Sequence, residues 1–191
     1  TKNALKGFNF EITMTSKDHT SGTDRIAEVV QNIKEAKIII NIQGDEPMID
    51  PKIIDDLVEK IETPFVDFAT VISKNLSAAD ILNPNVVKAF INEKKEIIEF
   101  KRNIFDSQIG GAYRHIGVYG YKRNTLMRFT ELETSKNESA EKLEQLRAID
   151  NGIKINAIIK DYESISIDTK QDLENLIESL NLETKTWITT N

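Results

Sequence analysis

The stretch that most constrains this chain is 38–47, Ile-Ile-Ile-Asn-Ile-Gln-Gly-Asp-Glu-Pro. Four of the five residues at 38–42 are isoleucine, and no polar alternation appears until the run stops. That is the pattern of a strand buried on both faces, as in the middle of a parallel sheet. Gly44 lets the backbone turn or approach a ligand closely, and Pro47 cannot continue a ladder. Asp45 and Glu46 therefore fall just past the carboxyl end of a central strand, where open α/β sheets bind ligands. A carboxylate there has two readings. It is a ligand for a hard cation such as Mg²⁺, which takes one or two protein carboxylates beside substrate phosphates, or it caps the turn before the next helix.

The 191 residues suit a single α/β domain over 1–191, since ordinary domains run about 100–200 residues. The 25 basic residues are scattered and the net charge is −6, which argues against a nucleic-acid surface as the chain's main business. Without cysteine, thiol catalysis, disulfides and thiolate zinc sites are excluded, and two histidines cannot build a histidine-rich metal site. No stretch approaches the ~18 consecutive apolar residues of a membrane span, and the first residues form no charged-then-apolar leader. The expectation is a soluble, cytoplasmic protein without membrane insertion.

Residues 8–14 alternate apolar and polar, the period of a half-buried strand. A hydroxyl-rich loop at 16–25 runs into a helix expected at 23–34, with Ile26, Ala27, Val30 and Ile33 as its apolar stripe. Ser21, Gly22 and Arg25 then surround a helix N-terminus, where backbone N–H groups favour anions; the competing reading is an ordinary cap. Asp50-Pro51 opens a helix burying Ile53, Ile54, Leu57, Val58 and Ile61. Strands follow at 65–72, 86–91 and 97–100, the last two forming a hairpin. Residues 103–112 carry no clear period and read as a loop.

In the strand at 113–121, period-two spacing puts His115, Tyr119 and Tyr121 on one face, and Gly117 and Gly120 mark close approaches. His115 is there either a hydrogen-bonded structural residue or part of a site. A helix at 139–151 should turn Ala140, Leu143, Leu146 and Ile149 inward, with Glu144 and Gln145 on its flank. After a short strand at 153–159, Thr169 and Asp172 cap a final helix whose stripe is Leu173, Leu176, Ile177 and Leu180. Asp168 is held just outside that helix start. Strands alternating with helices predict an α/β layer fold, a mixed and mainly parallel sheet flanked by helices, with a hairpin excursion.

Six motifs in order, MTSKDHTSGTDRIAEV at 14–29, QGDEPMI at 43–49, NPNVVK at 83–88, RHIGVYGY at 114–121, EKLEQLR at 141–147 and the IDT and DLE pair at 167–174, together resemble the 3-deoxy-manno-octulosonate cytidylyltransferase (CMP-Kdo synthetase) family. The resemblance spans almost the whole chain. It implies a glycosyltransferase-A-like nucleotidyltransferase fold, usually a homodimer. The implied reaction makes CMP-Kdo and pyrophosphate from CTP and an eight-carbon acid sugar, for lipopolysaccharide biosynthesis. Asp45 and Asp168 match the family's catalytic, Mg²⁺-holding pair. Ser21, Gly22 and Arg25 match nucleotide contacts, with Gln43 near the ribose or sugar. Arg102, His115, Tyr119, Glu144 and Gln145 match the acid-sugar pocket, Arg102 being suited to pair bidentately with the sugar carboxylate. Two departures stand out. The family's opening strand and its Arg/Lys loop have no counterpart before Thr1, so the chain is expected to be the later part of a longer protein, short of roughly one βαβ-sized unit of about 30 residues and impaired without it. The 103–112 segment is also shorter than is usual, and Lys101 stands where a serine is customary. Two alternatives remain open: a cytidylyltransferase for another acid sugar, such as an 8-amino Kdo analogue or a sialic-acid-like one, and a non-catalytic binding or dimerisation module.

Overall fold

The computed structural model describes residues 7, 10–19, 21–163 and 165–180. In chain order they form α1 (Gly22–Gln31), β1 (Ile38–Ile42), α2 (Pro51–Glu62), β2 (Phe68–Ser73), α3 (Ala78–Leu82), β3 (Lys88–Ile91), β4 (Ile97–Lys101), a 3₁₀ turn (Asp106–Gly111), β5 (Tyr113–Lys122), α4 (Arg123–Thr130), α5 (Lys136–Glu141), α6 (Gln145–Asp150), β6 (Asn156–Lys160) and α7 (Lys170–Ser179).

The ten-residue β5 is the hub of the sheet, pairing antiparallel with β1, β2 and β3. β3 pairs antiparallel with β4, and β2 with β6 in parallel, so the path reads β4-β3-β5-β2-β6 with β1 also on β5. The expected mixed sheet and hairpin are present, but among the described residues only the β2–β6 ladder is parallel. An unbroken apolar run reports that both faces are covered; it does not report strand direction. β1 itself is less enclosed than its sequence suggests: Ile39 and Asn41 are buried, Ile38 and Ile40 half-buried, and Ile42 is 41% exposed.

The two faces of the sheet carry separate cores. On one side Ile53, Leu57 and Ile61 of α2 pack against Ala69, Val71, Ile116 and Val118. On the other, Phe68, Ile72, Tyr119 and Tyr121 meet Ala27 and Val30 of α1, Leu126 and Phe129 of α4, and Leu146 of α6. Gly120 is required where α2 crosses β5, since a Cβ there would stand 2.9 Å from Ile61 Cγ1.

Several expectations are corrected. The strand at 8–14 is not found: Phe8 and Asn9 lie outside the described residues, and 10–16 form no strand. Alternation alone cannot make a strand without a ladder partner, and no described strand supplies one. The single helix at 139–151 is instead α5 and α6, broken where Lys142 takes the left-handed conformation (φ 55°). Ser135 and Glu138 form a capping box that starts α5 earlier. Ala140 is consequently exposed, and buried Glu138 takes the inward place, gripping Arg147 of α6 through bonds of 2.6 and 2.8 Å. Residues 103–112 contain the 3₁₀ turn. Along α7 the expected stripe is only partly covered, Leu176 being buried and Leu173 and Leu180 exposed.

Candidate active site

An open cavity of about 360 Å³ lies at the carboxyl end of β1. Its first wall is the turn after β1 together with the start of α1. Gly22 lets Gln43 close against the helix, a Cβ there falling 3.3 Å from Gln43 Oε1. Ser21 is the N-cap, its Oγ accepting from Asp24 N at 3.1 Å, so its own proton remains for another acceptor. With Gly22 in the first turn, this wall presents the anion-favouring end of a ten-residue helix.

Asp45 and Asp168 both line the cavity, near enough for the charge of one to act on the other. Their loops are tied by Ile167 N donating to Asp45 O at 2.9 Å, and Tyr162 Oη donating to Met48 O at 2.9 Å adds a second tie. Asp168 is fixed in place by the capping box of α7, in which Thr169 and Asp172 exchange hydrogen bonds. Partial burial, then the charges of Asp45 and Asp172, push the Asp168 carboxyl above its ordinary value, with Arg102 opposing. Two like-charged oxygen donors at a partly desolvated rim suit a hard divalent cation whose remaining ligands come from water and phosphate, so the donor set fits Mg²⁺.

The centre of the cavity is a bulge in β5. Thr70 faces Tyr119 and Val71 faces Ile116, leaving residues 117 and 118 without partners on β2. Side chains and the turn after β1 bond them instead: Gly117 N donates to buried Glu46 Oε1 at 3.1 Å, Gly117 O accepts from Gln43 N at 3.2 Å, and Val118 O accepts from the Thr70 hydroxyl at 2.8 Å. Two extra residues preserve the alternation, so His115, Tyr119 and Tyr121 do share a face, His115 and Tyr119 with ring centroids 5.4 Å apart.

Thr70 also settles the tautomer of His115. Its one proton goes to Val118 O, so Thr70 Oγ1 must accept from His115 Nε2 at 3.0 Å. Nδ1 is thereby left as a lone-pair acceptor. Desolvation pulls the His115 pKa down to about 3, so the ring is neutral near pH 7. Tyr119 is driven the other way, well above its ordinary range, first by burial and then by the charges of Glu144, Asp45 and Glu46. It remains a phenol.

Arg102 lines the cavity, and three of its N–H groups hold backbone. It donates to Glu141 O at 2.9 Å, Pro84 O at 3.0 Å and Lys142 O at 3.3 Å, stapling the 83–87 loop to the α5–α6 junction. Buried Lys88, its ammonium lowered chiefly by desolvation, joins the same loops through Asn83 O and Arg102 O, both at 2.8 Å. Three of the five Arg102 N–H donors are used in this way, and one hydrogen on each terminal nitrogen remains for a ligand carboxylate. The break at Lys142 delivers Glu144 and Gln145 to the wall, where a continuous helix would have left them on its flank.

Of the eleven residues singled out in the sequence, ten line this one cavity. Arg25 does not. Its guanidinium holds the preceding loop, donating to Thr15 Oγ1 at 3.0 Å, to Ser16 O at 2.6 Å and to His19 O at 3.4 Å. Sequence reasoning missed Arg114, which lines the cavity while paired with Asp80 at 3.1 Å, and the structural parts of Glu46 and Thr70. Arg114 had a signal, since it directly precedes His115 in a motif already singled out.

Residues 1–155 match the cytidylyltransferase family. The chain is 39% identical to the 3-deoxy-manno-octulosonate cytidylyltransferase of Geobacter sulfurreducens, over 93% of this chain and 77% of that protein. It is likewise 39% identical to the enzyme of the same name from Leptospira interrogans, over 96% and 75%. The solved structure of CMP:2-keto-3-deoxy-manno-octonic acid synthetase complexed with CTP matches with a TM-score of 0.83 at 34% identity, covering 94% of this chain and 76% of that one. The inositol-1-phosphate CTP transferase of T. maritima, at 15% identity and a TM-score of 0.62, shares the fold.

Proposed function

The chain belongs to the 3-deoxy-manno-octulosonate cytidylyltransferase family, and from that premise we propose how its cavity joins CTP to the acid sugar to give CMP-Kdo and pyrophosphate. The reading is carried by one observation: paired carboxylates, an anion-favouring helix start and a wall of hydrogen-bonding groups converge on a single cavity. The first two suit a nucleoside triphosphate with its cation. The third suits a polyol.

In the reaction the sugar's anomeric hydroxyl attacks the α-phosphorus of CTP; the new P–O bond forms as the bond to the bridging oxygen breaks, pyrophosphate carries that electron pair away, and the hydroxyl's proton passes to water or to the departing pyrophosphate. Asp45 and Asp168 would hold Mg²⁺, and the cation would supply positive charge against the charge that builds on the phosphate oxygens. The α1 start, with Ser21 and Gly22, receives a phosphate or the nucleotide, and Gln43 lies between the two substrates. On the sugar side His115 Nδ1 accepts from one hydroxyl, Tyr119 donates to another, and Glu144 and Gln145 fix the rest. With a pKa of about 3, His115 is too weak a base to remove the nucleophile's proton near pH 7, so it orients rather than activates. We assign the family's homodimer to this chain as well, on the hairpin side of the sheet, where Ile98 and Phe105 are exposed.

The test is pyrophosphate release from CTP and 3-deoxy-D-manno-octulosonate, with and without Mg²⁺. Turnover should require the cation, and Asp45→Asn or Asp168→Asn should lower kcat by at least about 10²-fold, the scale of losing one electrostatic partner of a transition state. Undiminished turnover in either variant would remove that residue from the metal pair. Faster turnover with an 8-amino or sialic-acid-like sugar would move the substrate while keeping the chemistry. The Asp168 variant has a second signature. A carboxyl whose folded pKa is raised stabilises the fold at low pH and loses that contribution as pH rises through the raised value. Asp168→Asn should therefore melt no lower than wild type at pH 7 without metal.

A further inference from the structure

Behind the cavity lie buried polar side chains, Thr23, Tyr121 and Asn41, to which the mechanism gives no part. Thr23, fully buried at the second position of α1, takes no part in capping that helix. Its hydroxyl instead donates to Glu144 Oε1, a partner 121 residues further along the chain. Tyr121, also buried, has its hydroxyl beside Thr23 and Asn41. Asn41 Oδ1 accepts from Gln43 Nε2 at 3.0 Å, and Gln43 lies against Gly22. Gln43 and Gly22 stand on the nucleotide side, and Glu144 stands on the sugar side. Two groupings therefore lie beneath the site, Thr23 with Glu144 on the sugar side and Asn41 with Gln43 on the nucleotide side, and Asn41 Nδ2 is buried without a hydrogen-bond partner.

Counting protons fixes the direction of the bond between Thr23 and Glu144. An ionised carboxylate only accepts, so Thr23's single hydrogen goes to Glu144 and the Thr23 oxygen is left to accept from the Tyr121 phenol. Burial, with the charge of Glu144 next, keeps Tyr121 protonated, as a donor must be. The other carboxylate oxygen, Glu144 Oε2, is buried without a hydrogen-bond partner. Such an acceptor is costly to leave unpaired, and a substrate hydroxyl entering the cavity that Glu144 lines is the donor it lacks.

We propose that Thr23 is a positioning residue for the acid sugar: it pins one oxygen of Glu144 so that the other is held ready for a sugar hydroxyl. This rests on the reading of Glu144 as a sugar contact. Nothing about Thr23 touches the reacting atoms; it acts through Glu144.

The test uses Thr23→Val, which keeps the shape and loses the hydroxyl, Thr23→Ser, which keeps the hydroxyl, Glu144→Ala, and the Thr23→Val/Glu144→Ala pair. Thr23→Val should raise KM for the acid sugar about tenfold, the effect of losing one hydrogen bond to a charged group. KM for CTP should stay within about twofold of wild type, because uniform loss of sugar binding leaves the nucleotide half untouched. Thr23→Ser should restore the wild-type value. In the Glu144→Ala background Thr23→Val should raise the sugar KM no further, and it should lower the melting temperature by less than it does in wild type. Parallel rises in both KM values, a fall in kcat alone, or fully additive melting shifts would each overturn the proposal. If wild type releases no pyrophosphate with this sugar, the functional reading fails separately, and the melting cycle still decides whether Thr23 anchors Glu144.

Discussion

A histidine that stays neutral can only trade hydrogen bonds, and His115 is of that kind. Its folded pKa of about 3 lies below the ordinary value of 6.5. Between those two values the unfolded chain binds the extra proton, so stability is full above about 6.5 and falls as the solution is acidified, by at most ~1.4 kcal/mol per pH unit from this group. Histidine NMR should show the Nε2–H tautomer persisting down to at least pH 5. A ring titrating near 6.5 would refute both the burial argument and the positioning role. Thr70→Val should release the tautomer and weaken sugar binding, leaving the CTP constant unchanged. At this scale the sequence disclosed what local grammar marks. Asp45 follows a strand and precedes a proline, Asp168 precedes a capping box, and both could be named from neighbours in the chain. Thr23, Glu46 and Arg114 act through partners 121, 71 and 34 residues away, which no local pattern encodes. Arg102 was legible as a cation but not as a staple, because the carbonyls it binds converge only in the fold.

The α5–α6 break shows how an element's failure to continue can serve a site. Helical periodicity through 139–151 is good, yet the capping box at Ser135 begins α5 early and Lys142 ends it in the left-handed region, resetting the phase before Gln145. The pairing of Glu138 with Arg147 holds the two pieces at that setting, with both side chains almost wholly buried. Hydrogen bonding to Glu138 raises Arg147 further above its already high value, so the cation is permanent. Glu138→Ala would strand it, and should cost about 3–5 kcal/mol, read as a fall in the denaturant midpoint. The same variant should loosen Glu144 and Gln145 and raise the sugar KM. If stability falls and the sugar KM holds, the break is structural only. Lys142→Gly meets the left-handed backbone without strain and should be neutral or slightly stabilising, up to about 1 kcal/mol, where Lys142→Val should destabilise. Sequence periodicity overlooked the break because the left-handed stop is usually written with Gly or Asn, and here it is written with Lys. The β5 bulge was hidden for a similar reason: Gly117 marked a close approach, but only the register against β2 reveals two residues out of the ladder.

For the whole molecule, the alternation of strands and helices was sufficient to predict a layered α/β sheet, since covering two faces needs helices on both. Strand direction was not legible, because β5 makes its three antiparallel pairings with segments far apart in sequence. The hairpin was legible from its own turn, and its outer strand, β4, ends the sheet path with Ile98 54% exposed and Phe105, just beyond it, 79% exposed. Exposed apolar side chains beside a strand at the end of a sheet path form a surface that proteins normally cover. No helix among the described residues is long and apolar enough to cross a membrane. A second copy of the chain is the cover proposed here, and it places the prediction at the level of assembly. Sedimentation of wild type should give the dimer mass, and Ile98→Lys with Phe105→Glu should give the monomer mass with the far-ultraviolet circular dichroism retained. Neither side chain lines the cavity. Turnover per chain that survives dissociation would make each cavity self-sufficient; turnover lost with the dimer would mean that the partner braces the stapled loops around Arg102. A wild-type monomer would sink the assembly reading while leaving the cavity chemistry standing.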